Sequence, residues 1–471
     1  MSNTTSNHPS EQHTASLPSL SYSDIESLKL PGLLHLHLSL FLGIFRPINA
    51  LDPVHSKFET ADLIRSSLPG LPPMVMLNTA RAVEALFRAP PYSFGTASNV
   101  GVPLLGAETL FAIDGAKHQQ HRKLIMPTFH GKSIQAYGQV MAEITHQVMA
   151  KWPLGKVFPI HPTLQDITLQ VILRVLLGFS EEGRYEQLQW LFRDTLKAPL
   201  LAAFLFFKPL QIDLGACSPW GKLVRLKRQI AQLLLAEIAD RRHQESQNDV
   251  LGLLLSARDE QGQTLNDQEI RDELMALLFA ANEATAAALA WAIYWIHYDA
   301  RVRDQILAEL IDLGPNPDSV EIAKLPYLSA VCNETLRISP VTLFAVPRAP
   351  KQLFNLLGYN IEPGVLLSPC IYLVHCDPEV YADPHFFRPE RFLNHQYSPY
   401  EFIPFGGSNR RCVGYALAMF EMKVVLAEML NKMEFSLVSK RPALPQRHGT
   451  TFIPSGGLRV TAKLRKRQSQ E

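Results

Sequence analysis

The 471-residue chain has no excess of charge of either sign, since 45 lysine and arginine residues face 44 aspartate and glutamate residues. A protein whose main partner is nucleic acid usually carries a basic surface, so this balance argues against such a partner. Cysteine is scarce too, with five residues at positions 217, 332, 370, 376 and 412. Their number is odd and their spacings are not those of a zinc site, which favours a reduced intracellular compartment.

Long apolar runs are also lacking in the N-terminal part. Residues 1–27 are rich in Ser, Thr, Asn and His and lack a basic stretch before an apolar core, so we predict a disordered tail and not a signal peptide. Residues 33–45 (LLHLHLSLFLGIF) are apolar, but a membrane-spanning helix needs roughly 20 such residues. We expect a buried or surface-lying helix in a cytoplasmic protein, with peripheral membrane contact as the alternative.

One stretch near the C-terminus, residues 402–422 (FIPFGGSNRRCVGYALAMFEM), joins a glycine-rich loop to a helix. Gly406 and Gly407 let the backbone turn tightly, and Cys412 follows just before apolar residues spaced three to four apart. Free N–H groups and the dipole at a helix N-terminus stabilise an anion, so we expect Cys412 to be biased toward the thiolate. One thiolate in a tight loop suits haem iron as an axial ligand. A free cysteine that packs as a small hydrophobe is the alternative.

The loop resembles the haem-binding loop of the cytochrome P-450 (haem-thiolate monooxygenase) family, whose pattern is Phe-Gly-x-Gly-x-Arg-x-Cys-x-Gly, and the chain is similar to soluble bacterial-type members. The positions that match in register are Phe405, Gly406, Arg410, Cys412 and Gly414. Ser408 stands where the family has its second glycine. The resemblance implies that haem b is the cofactor and that Cys412 is the iron ligand.

Two further segments occur in the order that the family has them. Residues 327–339 predict a helix in which Glu334 and Arg337 lie on one face, and FFRPERF at residues 386–392 supplies Arg391. The resemblance gives these three residues a structural role, as a hydrogen-bonded network that holds the segment carrying the cysteine loop. Buried charges of this kind are satisfied only as a set. Considered alone, Glu334 and Arg337 would be a surface ion pair.

The resemblance also implies partners for the two haem propionates. His118 and Arg122, four residues apart, lie on one helix face, while Arg348 and Arg410 are further candidates. Buried carboxylates need such cationic or hydrogen-bonding partners. A solvated basic face is the alternative for His118 and Arg122. His375 is a lesser candidate, with a packed histidine as the alternative.

Residues 269–297 predict the longest helix, which is apolar nearly all round, as expected for a helix through the core of a large domain. Its stretch LLFAANEATAA resembles the central helix of the family, Ala-Gly-x-Glu/Asp-Thr-Thr, in which the acid and the first threonine deliver protons for oxygen activation. Glu283 matches the acid and Thr285 the second threonine. Ala281 replaces the glycine, and Ala284 replaces the first threonine. A helix carboxylate paired with a distant arginine is the alternative for Glu283.

The alanine at position 284 is the main departure from the family pattern. Successive helical residues point about 100° apart, so Thr285 should not point where Ala284 does unless the helix bulges locally. Without the hydroxyl, ordered water or a substrate hydroxyl must carry the proton. This leaves a monooxygenase with a modified relay, or a haem-thiolate enzyme that uses peroxide or rearranges an oxygenated substrate. A non-enzymatic haem sensor is a third hypothesis.

The resemblance implies a mainly α fold with a small β region, forming one haem domain over residues 28–471. The expected reaction inserts one oxygen atom from O2 into an apolar substrate such as a fatty acid, an alkane or a terpene-like molecule. Electrons would come from a separate ferredoxin or flavoprotein reductase, for which Arg122, Lys123 and Arg411 are the candidate docking face. We expect a monomer. The candidate pocket residues are Phe94, Leu104, Phe279, Val341, Leu343, Phe344 and Phe452, the last in a predicted hairpin at HGTTFIPSGG.

Overall fold

The computed structural model describes residues 19–20, 61–66, 73–96, 102–178, 182–196, 211–244, 249–314 and 317–465. The predictions for the tail at 1–27 and the apolar segment at 33–45 lie outside the described residues, apart from the short strand Ser19–Leu20. The tail, the segment and the domain boundary at residue 28 therefore stay predictions.

Helices predominate in the described part of the chain. In order they are α1 (Ala80–Arg88), α2 (Val102–Leu105), α3 (Gly115–Ile125), α4 (Lys132–Ala136), α5 (Gly138–Met149), α6 (His161–Leu177), α7 (Glu182–Leu196), α8 (Pro219–Arg241), α9 (Val250–Ser256), α10 (Asp267–Tyr298), α11 (Ala300–Asp312), α12 (Ser319–Lys324), α13 (Pro326–Ile338), α14 (Ile371–His375), α15 (Arg391–Asn394) and α16 (Tyr415–Lys432).

The β region consists of short strands at the edges of the helical core. They are β1 (Ser19–Leu20), β2 (Leu63–Ser66), β3 (Met74–Leu77), β4 (Phe94–Thr96), β5 (Val157–Pro159), β6 (Arg348–Pro350), β7 (Phe354–Leu356), β8 (Tyr359–Ile361), β9 (Leu366–Pro369), β10 (Met433–Leu437), β11 (Pro445–His448), β12 (Thr451–Pro454) and β13 (Arg459–Leu464). One sheet has the order β1-β2-β3-β9-β6-β4 and another the order β10-β13-β5, while β7–β8 and β11–β12 are two-stranded.

The central helix α10 begins at a capping box. The Asn266 side chain accepts hydrogen bonds from the N–H groups of Gln268 and Glu269, both at 3.0 Å, and Glu269 accepts one from the N–H of Asn266 at 3.0 Å. The helix is long and apolar enough to cross a membrane, but 83% of its most apolar window is buried inside the protein. This burial is typical of a core helix.

The core has two main parts. Apolar side chains of α5, α6, α10, α13 and α16 form the larger one, and α1 packs on the six-stranded sheet to form the other. The C-terminal hairpin β11–β12 is bound to the larger part, because Trp291 of α10 donates Nε1–H to the Phe452 carbonyl at 2.9 Å and the Phe452 N–H donates to the Val341 carbonyl at 3.0 Å. The predicted hairpin is present, with a two-residue tip between His448 and Thr451.

Candidate active site

The cysteine loop is a tight turn closed by its own backbone. Gly406 has φ +63°, and the Cys412 N–H donates to the Phe405 carbonyl at 2.9 Å. Gly407 has no room for a side chain, because a Cβ there would overlap the Phe87 ring. Ser408, at the family's second glycine, has φ +55°. A non-glycine residue in that region is strained by roughly 1–2 kcal/mol, so the serine keeps the turn at some energetic cost.

Cys412 lies between the loop and α16, and it has exposed surface although protein atoms crowd around its thiol. Burial raises the pKa of its thiol, and the Gly414 N–H, Arg122 and Arg411 lower it by less. The expected bias toward the thiolate is therefore wrong for the protein alone, because desolvation outweighs the helix N-terminus and the two cations. A thiolate there needs a positively charged partner such as a metal ion.

The charged network of α13 is buried and fully paired. Arg337 donates two hydrogen bonds of 2.7 Å to the Glu334 carboxylate, and Arg391 donates a third at 3.1 Å. The other Arg337 nitrogen donates to the carbonyls of His375 at 2.9 Å and Pro384 at 2.7 Å. Glu334 and Arg337 are 0% exposed, so the structure brings together the three residues that the sequence placed in one network. Such a set is stable only when complete.

His375 joins this network to the cysteine loop, a connection that the sequence did not indicate. Its Nδ1 lies 3.1 Å from the Arg337 carbonyl, and its Nε2 accepts the Ile403 N–H at 3.0 Å. The ring stacks on Phe402, and burial lowers its pKa to about 3. Both nitrogens are engaged, so the structure shows the packed histidine and not a propionate ligand. The apolar residues around it in CIYLVHC were the available signal, but they do not identify its partners.

The four residues predicted to hold propionates form a cationic group in which His118 and Arg348 are buried and Arg122 and Arg410 are half-buried. Burial and the nearby Arg410 lower the pKa of Arg348 to about 10. Burial, followed by Arg410 and Arg122, lowers the pKa of His118 to about 4. Burial likewise lowers the pKa of Arg122 and of Arg410. Neighbouring cations thus disfavour the charged forms of His118, Arg348 and Arg410. An anion placed among these residues would favour their charged forms instead.

Two polar atoms of this cationic group lack partners. His118 Nδ1 and Arg348 Nη1 are buried without a hydrogen bond, although Arg348 Nη2 donates to the Gly407 carbonyl at 3.0 Å. Arg410 donates to the carbonyls of Leu110 at 2.7 Å and Ile113 at 2.9 Å. A buried donor without a partner is unfavourable by about 1–3 kcal/mol. Carboxylates would satisfy both atoms, so the cationic group and Cys412 together fit an iron porphyrin with two propionates.

One face of α10 is open near the middle of the helix, where most neighbouring residues are buried. Ala280 is exposed, and Ala281 and Ala284 are half-buried, at positions that share one side of the helix. Thr285 is 4% exposed and points elsewhere. The helix is continuous from Asp267 to Tyr298, without a bulge, so its geometry does not rotate Thr285 toward the position of Ala284.

Glu283 is 4% exposed and contacts the tip of the C-terminal hairpin. Its Oε2 accepts hydrogen bonds from the Thr450 N–H at 3.2 Å and the Thr450 hydroxyl at 2.9 Å. Its Oε1 has no hydrogen-bond partner, and His448 Nδ1 lies 3.7 Å from it. The sequence indicated the acid and the hairpin separately, but not that they meet.

The predicted pocket residues do not form one lining. Leu104 and Phe279 pack with Trp220 and Leu223 between α2, α8 and α10. Leu343, Phe344 and Phe452 belong to a separate group beside α14, Val341 packs on the main core, and Phe94 packs edge-on against Phe354 beside the sheet. Leu104 and Phe279 thus lie together beside the central helix, whereas Phe452 is bound to that helix separately through Trp291, and the pocket roles stay predictions.

A loop cysteine, a cationic group for two carboxylates and a small-residue face on a central helix define a haem-thiolate protein. The sequence profile of the family described as "Cytochrome P450" matches residues 54–460. Cytochrome P450 135B1 of Mycobacterium tuberculosis is 34% identical over 396 residues, covering 83% of this chain and 82% of the relative. Cytochrome P450 138 of the same organism is 34% identical over 402 residues, covering 83% and 87%.

Two solved structures share the fold. A retinoic acid-bound cyanobacterial CYP120A1 has 25% identity and a TM-score of 0.76, covering 87% of this chain and 93% of that one. The cytochrome P450DA haem domain has 21% identity and a TM-score of 0.80, covering 96% and 98%. The chain belongs to the cytochrome P450 family. It is accordingly a haem-thiolate monooxygenase with haem b as cofactor, so the predicted fold, enzyme class and cofactor are confirmed.

Proposed function

We propose that this monooxygenase inserts one oxygen atom into an apolar, fatty acid-like, alkane or terpene-like substrate. The open alanine face of α10 carries the proposal, because it offers a substrate small apolar side chains and no hydrogen-bonding group. The apolar group of Leu104, Trp220, Leu223 and Phe279 beside α10 supports it. The retinoic acid bound to one solved relative is a terpene-like acid of this chemical type.

Each predicted site residue would have a distinct role in binding the haem or in moving protons. Cys412 would bind the iron, and the thiolate-bound haem would supply oxygen activation. His118, Arg122, Arg348 and Arg410 would hold the propionates, and Phe405, Gly406 and Gly414 would shape the loop around the sulfur. Glu283 would hold a proton beside the alanine face. Ala284 leaves space next to it for a water molecule or a substrate hydroxyl.

A second candidate is favoured by the same helix. Ala284 has no hydroxyl and Thr285 is buried away from the open face, so a threonine does not connect Glu283 to that face. An enzyme that takes peroxide, or that rearranges an already oxygenated substrate, needs less proton delivery from the protein. Glu283, which matches the acid of the family pattern, favours the first candidate over this one.

Electrons would come from a separate ferredoxin or flavoprotein reductase that docks beside the cysteine loop. A cavity of about 480 Å³ opens there, walled by aromatic residues including Phe87, Tyr400 and Tyr415. Arg411 lines this cavity and lies 3.9 Å from the centre of the Tyr415 ring, so it places a cation there, whereas Arg88 beside Tyr400 is paired with Glu84 at 2.7 Å. Lys123 is paired with Glu260 at 2.9 Å and would contribute less to such a face. An acidic partner in the cytoplasm, with this protein as a monomer, fits these features.

The test is a carbon-monoxide difference spectrum of the reduced protein, followed by a panel of fatty acids, alkanes and terpenoids scored by spin-state shift and by product. Oxygenated product with O2 and a surrogate ferredoxin and reductase would support the first candidate. Much faster turnover with peroxide than with O2 would favour the second. A thiolate-type spectrum with neither spin shift nor product from any ligand would favour a haem sensor.

A further inference from the structure

The tip of the C-terminal hairpin is built against the carboxylate of Glu283. Gly449 has φ +54°, and a Cβ at this position would overlap that carboxylate. Thr450 binds Oε2 through both its N–H and its hydroxyl. Only a glycine allows this approach, so the two tip residues fix which oxygen is bonded and which stays free.

The unpaired oxygen of Glu283, Oε1, lies close to a pair of histidines. Oε1 of Glu283 is buried without a partner, and so are Nδ1 of His448 and Nε2 of His161. The two imidazole rings contact edge to face with centroids 4.8 Å apart, and His448 Nδ1 is 3.7 Å from Oε1. A small ring rotation or one water molecule closes that gap. Buried polar atoms without partners are rare in proteins, and a catalytic role is one reason for which they are kept.

His448 also reaches solvent. Its side chain is 34% exposed, whereas that of Glu283 is 6% exposed. His161 is 2% exposed, and burial followed by the charge of His448 lowers its pKa to about 3, so it stays neutral. Arg447, the neighbouring cation on β11, lies over the Phe452 ring at 4.7 Å. Among the described groups around Glu283, His448 is thus the titratable side chain that is both exposed to solvent and has a nitrogen near Oε1.

We propose that His448 is the proton-transfer residue through which Glu283 exchanges protons with solvent, and that Thr450 positions the carboxylate for that exchange. In each cycle the N–H bond of the His448 imidazolium breaks as an O–H bond forms at Oε1 of Glu283. The ring then rotates so that the bare Nδ1 reaches solvent and takes up a proton there, and Glu283 releases its proton on the side of Ala284. The inference rests on the proposed monooxygenase function, since it names the source of the protons for that reaction.

The first test uses the resting protein and needs no turnover. The infrared carboxyl band of Glu283 is assigned by its loss in Glu283→Gln, and its response is timed after a rapid pH jump. His448→Gln should slow that response by about 100-fold, within the range that a positioned acid or base contributes. The matched control is His395→Gln, an exposed histidine that packs on Tyr397, and it should respond at the wild-type rate.

The second test measures product formed per electron pair with a surrogate ferredoxin and reductase, over a range of pH. His448→Gln should lower this yield and flatten its pH dependence, with ligand-induced spin shifts unchanged. Thr450→Val should lower the yield, and Thr450→Ser, which keeps the hydroxyl, should restore it.

A wild-type pH-jump rate and a wild-type yield in His448→Gln would overturn the proposal and leave the hairpin contact as a structural anchor. A wild-type protein without a thiolate spectrum would instead refute the monooxygenase proposal, and the infrared test would still decide the proton path. The two failures are therefore distinguishable.

Discussion

The two sides of the candidate haem site differ in whether their buried charged groups are fully hydrogen-bonded. On the cysteine side, Glu334, Arg337 and Arg391 satisfy one another, and His375 uses both ring nitrogens to join that set to the loop. On the central-helix side, Glu283 keeps one oxygen unpaired and faces unpaired histidine nitrogens. A fully paired set holds its shape, whereas an incomplete set can exchange protons. The first arrangement suits a scaffold and the second suits chemistry.

The largest expected effect comes from removing the iron ligand. Cys412→Ser should abolish the thiolate signature in the reduced carbon-monoxide spectrum and most haem retention, because a hydroxyl is a poor axial ligand for this chemistry. Cys217→Ser, at an exposed cysteine, is the control and should keep the spectrum. An unchanged spectrum in Cys412→Ser would remove the basis for the site.

The next prediction concerns the buried network of Glu334, Arg337 and Arg391. Glu334→Gln leaves the buried Arg337 without its full charge partner and should destabilise the protein by about 3–5 kcal/mol, measured by urea unfolding with haem content as a second readout. Glu321→Gln is the matched control, because Glu321 and Lys324 form an exposed pair with the same i,i+3 spacing. Its effect should stay below about 1 kcal/mol. Equal effects would mean that the buried network is no more important than a surface pair.

Acid should weaken the cysteine side through His375 and the predicted propionate-binding group through His118. Burial lowers the pKa of His375 to about 3 and that of His118 to about 4, below the ordinary 6.5. The unfolded chain therefore binds more protons as the pH falls through 6.5, and the folded state loses stability in that window. Between pH 6.5 and 5 each histidine should lower the free energy of unfolding by about 2 kcal/mol. Haem should reduce the loss at His118 alone, since propionates favour its protonated form.

That loss is measured by urea unfolding of the haem-free and haem-loaded protein at several pH values. His118→Gln should make the haem-free protein less sensitive to acid. If haem-free and haem-loaded proteins show the same pH dependence, His118 does not face the propionates.

A smaller effect is expected from restoring a hydroxyl on α10. Ala284→Thr should raise product per electron pair by about tenfold if proton delivery limits the O2 reaction. Ala288→Thr is the control one turn further along the buried helix. A yield that does not change, together with efficient peroxide use, would favour the second candidate function.

The smallest effect concerns the electron donor. Arg411→Gln should raise the KM for an acidic ferredoxin several-fold at low salt and much less at high salt, because surface charges are screened over roughly 10 Å. Arg459→Gln, at an exposed position on β13, is the control. A KM that is independent of both Arg411 and salt would argue against docking beside the cysteine loop.

The features predicted correctly from the sequence are those that depend on residue spacing within a single helix or loop. The helix carrying Glu334 and Arg337, the central helix and the helix after Cys412 follow from apolar periodicity, and the glycine-rich loop follows from local turn chemistry. Contacts between distant segments could not be read in this way. The bond from His375 to Ile403 spans 28 residues and that from Thr450 to Glu283 spans 167. The thiol pKa was predicted in the wrong direction because burial cannot be judged from a motif.

The contact between Gly449 and Glu283 links two positions that lie far apart in the chain. A side chain at 449 and a glutamate at 283 cannot occupy the same space, so substitutions at the two sites should be correlated during evolution. Relatives with a larger residue at 449 should carry a shorter one at 283, and laboratory libraries that randomise 449 alone should return glycine. The pair is thus a marker by which variants of this enzyme can be sorted from sequence.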